Sequence, residues 1–149
     1  MPSRLDLCAP CDWKGVVALL KKANDFLCAN ALPPGQAYAV SLVLEELVTN
    51  VVRHAYDDPS GHDLCLDLAL DAGKVRIVSR DHGRPFDPTA AKPQEPPASL
   101  AEATPGGLGL TLIRNMSESV AYSRRDGRNV VEVVVGEPDW ERLGGNNRN

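Results

Sequence analysis

Apolar and polar positions change period several times along this chain, and each change marks an element. From Ser3 to Ala9, Leu5, Leu7 and Ala9 alternate with polar residues, the two-residue period of a strand. From Trp13 to Leu32 the period lengthens to a helical one, with Val16, Val17, Leu19, Leu20, Ala23, Phe26 and Leu27 as its apolar positions. Asp12 stands where a helix N-cap would. Pro33-Pro34-Gly35 interrupts, and Gln36 to Ala55 resumes as a second helix. At about 100° per residue, Val40, Val43, Leu44, Leu47, Val48, Val51, Val52 and Ala55 fall on one stripe. After the turn cluster Asp57-Asp58-Pro59-Ser60-Gly61, Leu64, Leu66, Leu68 and Leu70 alternate with Cys65, Asp67, Ala69 and Asp71, a half-buried strand. Ala72-Gly73-Lys74 then turns the chain into a strand over Val75 to Ser79, which predicts a hairpin.

The next stretch, Asp87 to Pro105, is rich in Pro, Ala and Glu and nearly free of bulky apolar residues. Such a segment buries too little surface to order itself, and a loop of this length inside a small domain is functional or disordered. It ends at Gly106-Gly107-Leu108-Gly109, before a helical stretch from Leu110 to Met116. Two strands follow, Val120 to Arg124 and Val130 to Val135, joined by Arg125-Asp126-Gly127-Arg128. Glu141 to Asn149 is a polar tail. The order β-α-α-β-β-lid-α-β-β predicts an α/β (α+β) two-layer sandwich, a mixed and mainly antiparallel sheet with helices on one face. We expect one domain over residues 1–140, with residues 87–105 as its lid and 141–149 as a flexible tail.

Composition narrows the function classes. The 149 residues carry a net charge of -4, which argues against a dedicated nucleic-acid binder, whose face would be basic. No apolar run nears the roughly 18–20 residues that span a bilayer, and the N-terminus has no hydrophobic signal core, so a cytoplasmic location is expected. Of the four cysteines, Cys8 and Cys11 form a CxxC. No second CxxC or His pair follows at the spacing of a zinc site. A redox role stays open; the simpler expectation is small, partly buried thiols in a reducing compartment.

The second helix carries the chemistry. Glu46, Asn50, Arg53 and His54 share one shoulder of its apolar stripe, while Glu45 and Thr49 face water. Glu46 and Asn50 are neighbours at i, i+4. On this helix alone such residues are most often a solvated edge. The alternative is a site in which the carboxylate serves as general base and the amide oxygen holds a hard cation such as Mg²⁺. Two further motifs bear on the choice. Asp81-His82-Gly83 follows a strand, where an aspartate can accept from an exocyclic amine and a glycine lets a flat ring approach, although DxG turns are common. Gly106-Gly107-Leu108-Gly109-Leu110 opens a helix, where backbone N–H groups and the helix N-terminus suit phosphate, although a glycine hinge reads the same way. It is neither a P-loop nor a Rossmann fingerprint.

In this order, Glu-x-x-x-Asn, Asp-x-Gly and a long loop ending in Gly-x-Gly-Leu, the motifs resemble those of the Bergerat-fold ATP-binding proteins, the superfamily of gyrase, heat-shock chaperone and histidine-kinase ATPase domains. The likeness is greatest to the single-domain anti-sigma-factor serine/threonine kinases and spans roughly Leu5 to Val135. It implies ATP and Mg²⁺ as cofactors, Glu46 as the catalytic base and Asn50 as the metal ligand. Asp81 would bind the adenine amine with Gly83 beside the ring. Gly106, Gly107, Leu108, Gly109, Leu110 and Thr111 would line the phosphate side, with Arg53 and His54 as further nucleotide-side residues. The implied activity is phosphorylation of a small STAS-type anti-anti-sigma partner together with regulation of a sigma factor, with no direct nucleic-acid or membrane contact and a capacity to form homodimers. The alternative is a non-catalytic ATP-dependent binding switch. A detached histidine-kinase domain would need a phosphoacceptor helix pair, and a gyrase-type ATPase a following transducer domain; neither is expected here. Two positions depart from the pattern. Leu47 stands where Ala is common. Gly127-Arg128-Asn129 stands where many relatives have a Gly-Thr pair near the nucleotide, so no threonine contact is carried over.

Overall fold

The computed structural model describes residues 3–58, 60–89 and 107–139. Its elements run β1 (Ser3–Pro10), α1 (Trp13–Ala29), α2 (Pro34–His54), β2 (Asp63–Asp71), β3 (Lys74–Asp81), α3 (Gly107–Met116), β4 (Ser119–Arg125) and β5 (Arg128–Val135). The predicted order is the observed one. The five strands form a single sheet in the order β1-β2-β3-β5-β4. Every pairing is antiparallel, so the parallel component that a mixed sheet allows for is absent among the described strands. The reason lies in the two helices between β1 and β2. Each reverses the chain, so β2 starts where β1 ended, with Pro10 opposite Asp63. Asp87 to Thr89 begin the expected lid; the rest of it, with Gly106 and the tail, lies outside the described residues.

Period-two alternation decides which sheet face is buried. Leu64, Leu66 and Leu68 of β2, Val75 and Ile77 of β3, and Val131, Val133 and Val135 of β5 point to the helices. They meet Val16, Leu19, Ala23 and Leu27 of α1 and Val40, Val43, Leu44, Leu47 and Val48 of α2. Each fully buried leucine contributes about 1.5–3 kcal/mol. Asp12 caps α1 as its position suggests, accepting from Gly15 N at 2.7 Å. Gly15 itself sits under the end of β1, where a Cβ would come within 2.1 Å of the Pro10 carbonyl oxygen. Val17, expected in the α1 stripe, is instead 64% exposed. Both hairpins use two-residue loops, Ala72-Gly73 and Asp126-Gly127, with all four residues at positive φ, the turn whose twist matches the strands. Gln36, buried at the start of α2, donates to the carbonyls of Gly73 at 2.9 Å and Val135 at 3.2 Å. It thus fastens the helix to the β2–β3 turn and the end of β5.

The cysteines depart from expectation. Alternation along β1 turns Cys8 outward, opposite Cys65 of β2, and the two sulfurs are bonded. Cys11, past the end of the strand, points into the core. Cys8 and Cys11 therefore share no site: Cys11 is the buried thiol expected, and the reading of Cys8 as a thiol is corrected, since it is bonded to Cys65. Among the described residues no helix is long and apolar enough to cross a membrane.

Candidate nucleotide site

The cleft forms where α2, the ends of β3 and β5, and the chain after β3 converge. Leu47, Asn50, Val51 and His54 of α2, with Ala55 just past its end, make one wall. Ser79 and Asp81 of β3 with Asn129 and Val131 of β5 make the floor, and Arg84, Phe86 and Pro88 close the third side. Two of the three motifs singled out in the sequence thus meet in space.

Asp81 is the last residue of β3 and is only 6% exposed. Its Oδ1 accepts from Gly83 N at 2.8 Å and from Asn129 Nδ2 at 3.1 Å. No described residue donates to Oδ2. Gly83 is a glycine for a reason the sequence alone did not supply: α2 ends directly against it. A Cβ there would lie 2.5 Å from Ala55 Cβ and 2.8 Å from Asp81 Oδ1. The next residue continues the junction, with Arg84 N donating to Ala55 O at 3.0 Å. Tyr56 braces the same turn by accepting from His82 N at 2.8 Å, and burial pushes its hydroxyl up to about 12.

The shoulder of α2 divides. Asn50 is buried and lines the cleft. Glu46 lies one turn before it, outside the cleft lining; its Oε2 is buried with no hydrogen-bond partner. Burial raises the Glu46 carboxyl above the ordinary value of 4.5, Glu45 adds to the rise, and Arg53 opposes it. His54 lines the cleft and stacks on Phe86, with ring centroids 6.1 Å apart. Arg53 turns away, its guanidinium 5.8 Å from the ring centroid of Trp13 on α1. The buried amide of Asn50 offers a hard oxygen of the kind that suits Mg²⁺. Among the described residues no cluster of three His, Cys, Asp or Glu side chains could hold a metal by itself. A magnesium ion here would rely on Asn50 and on phosphate oxygens.

The glycine segment begins earlier in the helix than its pattern suggested. Gly107, Leu108, Gly109 and Leu110 already form the first turn of α3, followed by half-buried Thr111. The side chains of that first turn lie outside the described residues. The helix packs against α2, and Arg114 donates to the carbonyls of Pro88 and Thr89 at 3.3 and 2.6 Å, tying α3 to the chain that follows β3. Sequence reasoning missed Arg114, Phe86, Ser79 and above all Asn129. Only strand pairing, which sets Asn129 opposite Asp81, exposes the last of these.

An antiparallel sheet carrying its helices on one face, with an aspartate at a strand end on the floor of the cleft between them, defines the class: a two-layer α/β domain with a cleft between its layers. Residues 10–135 match the family described as the histidine kinase-like ATPase domain, and the chain belongs to that family. It is 35% identical over 94 residues to serine/threonine-protein kinase BtrW of Bordetella bronchiseptica, a match covering 62% of this chain and 65% of the relative. It is 28% identical over 95 residues to serine-protein kinase RsbW of Oceanobacillus iheyensis, covering 59% and 58%. Both matches span less than two thirds of the relative's length. Among solved structures it resembles the RsbU and RsbW domains of a Mycobacterium tuberculosis protein, with a TM-score of 0.65 at 15% identity over 90% of this chain and 32% of that one, a likeness of fold.

Proposed function

We propose that this chain is an ATP-dependent serine/threonine protein kinase of the partner-switching type. It phosphorylates a hydroxyl of a small STAS-type anti-anti-sigma protein, and when free of that partner it holds a sigma factor, acting in the cytoplasm. The observation that carries the reading is Glu46: a carboxylate with a buried, unpartnered oxygen, its proton affinity raised by burial, one turn from the cleft-lining Asn50. A buried carboxylate oxygen is ordinarily paired.

Glu46 then takes the proton of the partner's hydroxyl as that oxygen attacks the γ-phosphorus of ATP. The new O–P bond forms as the bond to the β,γ-bridging oxygen breaks, and ADP leaves with the electron pair. Asn50 is placed to hold Mg²⁺, which when bound offsets phosphate charge. Asp81 offers Oδ2 to the adenine amine, and the backbone of Gly107 and Gly109 at the start of α3 serves the phosphates. Arg53 and His54 remain on the nucleotide side of this proposal only through His54, which lines the cleft. Names of relatives support the activity; the partner and the sigma factor rest on resemblance.

The test is direct. Purified protein, γ-labelled Mg-ATP and a candidate STAS-type protein are mixed, and label on that protein is followed. Transfer by the wild type and none by Glu46→Gln supports a kinase. Tight ATP binding without any transfer by the wild type would leave a nucleotide-dependent binding switch instead.

A further inference from the structure

Asn129 is 3% exposed and makes more hydrogen bonds than any other side chain in the cleft. Its Oδ1 faces three donors: Tyr122 Oη at 2.6 Å, Arg124 Nη1 at 3.0 Å and Phe86 N at 3.4 Å. An arginine guanidinium and a backbone N–H can only donate, so this end of the amide must be the oxygen. The other end, Nδ2, therefore faces acceptors only: Asp81 Oδ1 at 3.1 Å, Arg84 O at 2.8 Å and Gly83 O at 3.4 Å. The amide cannot flip without setting donor against donor and acceptor against acceptor. Strand register supports the same geometry, since Asn129 pairs directly with Asp81 across β5 and β3.

The consequence falls on Asp81. Two donors, Gly83 N and Asn129 Nδ2, occupy Oδ1 and fix the plane of the carboxylate. What remains for a ligand is Oδ2, a single acceptor held in one direction. We infer that Asn129 is a positioning residue that selects a 6-aminopurine nucleotide by holding the Asp81 carboxylate with one oxygen spent and the other aimed at the ligand's exocyclic amine. The inference deepens the nucleotide reading above and rests on it. An amide long enough to span from Asp81 to the Arg84 carbonyl does here what a shorter hydroxyl could not, because Asn129 also ties the floor of the cleft to the chain that becomes the lid.

The experiment compares ATP with purine-riboside triphosphate, which lacks only the 6-amino group, by calorimetry on the full chain with Mg²⁺. Wild type should bind ATP more tightly than the analogue. In Asn129→Ala, ATP affinity should fall about ten-fold, the loss of one hydrogen bond to a charged group, while the analogue loses less than about three-fold. A residue that only cements the loop would cost both nucleotides the same factor, and that result overturns the inference. If Asn129→Ala does not melt cooperatively, Tyr122→Phe decides: it keeps the amide and removes the hydroxyl that fixes its oxygen, and again ATP alone should weaken. Unchanged ATP affinity, or equal losses for both ligands, overturns it there too. A wild type that binds neither nucleotide would instead refute the nucleotide reading itself.

Discussion

Gly83 lies so close to Ala55 that a methyl group on the glycine would stand 2.5 Å from the alanine Cβ and 2.7 Å from its carbonyl oxygen. The Asp-x-Gly turn and the end of α2 are thus one joint, and the cleft wall and the cleft floor are set relative to each other through it. Gly83→Ala must push these elements apart or displace the Asp81 carboxylate, whose Oδ1 would be 2.8 Å from the new Cβ. Overpacking of this kind costs about 1–3 kcal/mol. We expect a lower denaturant midpoint and weaker ATP binding together. A variant with wild-type stability and affinity would show that the joint yields freely.

Asp81→Asn separates recognition from folding. The new side chain can still accept from Gly83 N through its oxygen, so the turn should survive. Its amide nitrogen then takes the place of Oδ2 and meets the adenine amine donor to donor. A hydrogen bond to a charged group contributes about 1.5–3 kcal/mol, so the dissociation constant for ATP should rise at least about ten-fold. Calorimetry beside a thermal melt checks this, and an unchanged affinity removes Asp81 from the base site.

How much of this was legible in the sequence follows from the range of each interaction. Element order was readable because α1, α2 and β2 carry long, clean periods. The roles of Asp12 and the Ala72-Gly73 turn were readable because caps and tight turns are settled within a few residues. Long-range placement was not. Cys8 and Cys11 look like a pair in sequence, yet the pleat sends one outward to Cys65 and the other into the core. Arg53 shares a helix face with Asn50, but Trp13, forty residues earlier in the chain, draws its guanidinium away. Asn129 looked like a lost threonine contact until the β3–β5 register set it against Asp81. In each case the deciding neighbour came from another element.

The cysteines should react in a fixed order. Cys28 is exposed on α1, whereas Cys11 is fully buried and its thiol is pushed up to about 11, first by burial and then by the charges of Asp81 and Asp63. At pH 8 iodoacetamide should therefore label Cys28 quickly and Cys11 only on unfolding, since the thiolate is the nucleophile. Cys8 and Cys65 should label only after reductant. Reduction should lower stability by about 2–4 kcal/mol, the usual range for a disulfide. The protein should nonetheless stay folded with its ATP affinity intact, because eight register pairs still hold β1 to β2 and the bond lies on the sheet face away from the cleft. Peptide mapping of labelled sites reads the order. Rapid labelling of Cys11 in the native protein would show that its burial is not maintained in solution.

Glu46 links stability to catalysis with opposite signs. Its carboxyl is raised above 4.5, chiefly by burial, so the native state binds that proton more tightly than the unfolded chain does. Stability therefore falls as pH climbs from 4.5 through the raised value, and above it the whole cost of the buried charge is present. Glu46→Gln keeps the shape and removes the charge. It should be more stable than wild type at pH 7 to 8 by about 1 kcal/mol, near the low end for an unsatisfied buried polar group, with the gap closing below pH 4.5. Phosphoryl transfer should move the other way. In the wild type it should rise with pH as Glu46 loses its proton and then level off. In Glu46→Gln it should drop by about 10²–10⁴-fold at every pH with ATP affinity retained. Paired urea titrations and single-turnover transfer across pH 4 to 8 measure both. A glutamine variant that is stabilised yet transfers phosphate at the wild-type rate would leave Glu46 a buried charge without a catalytic task.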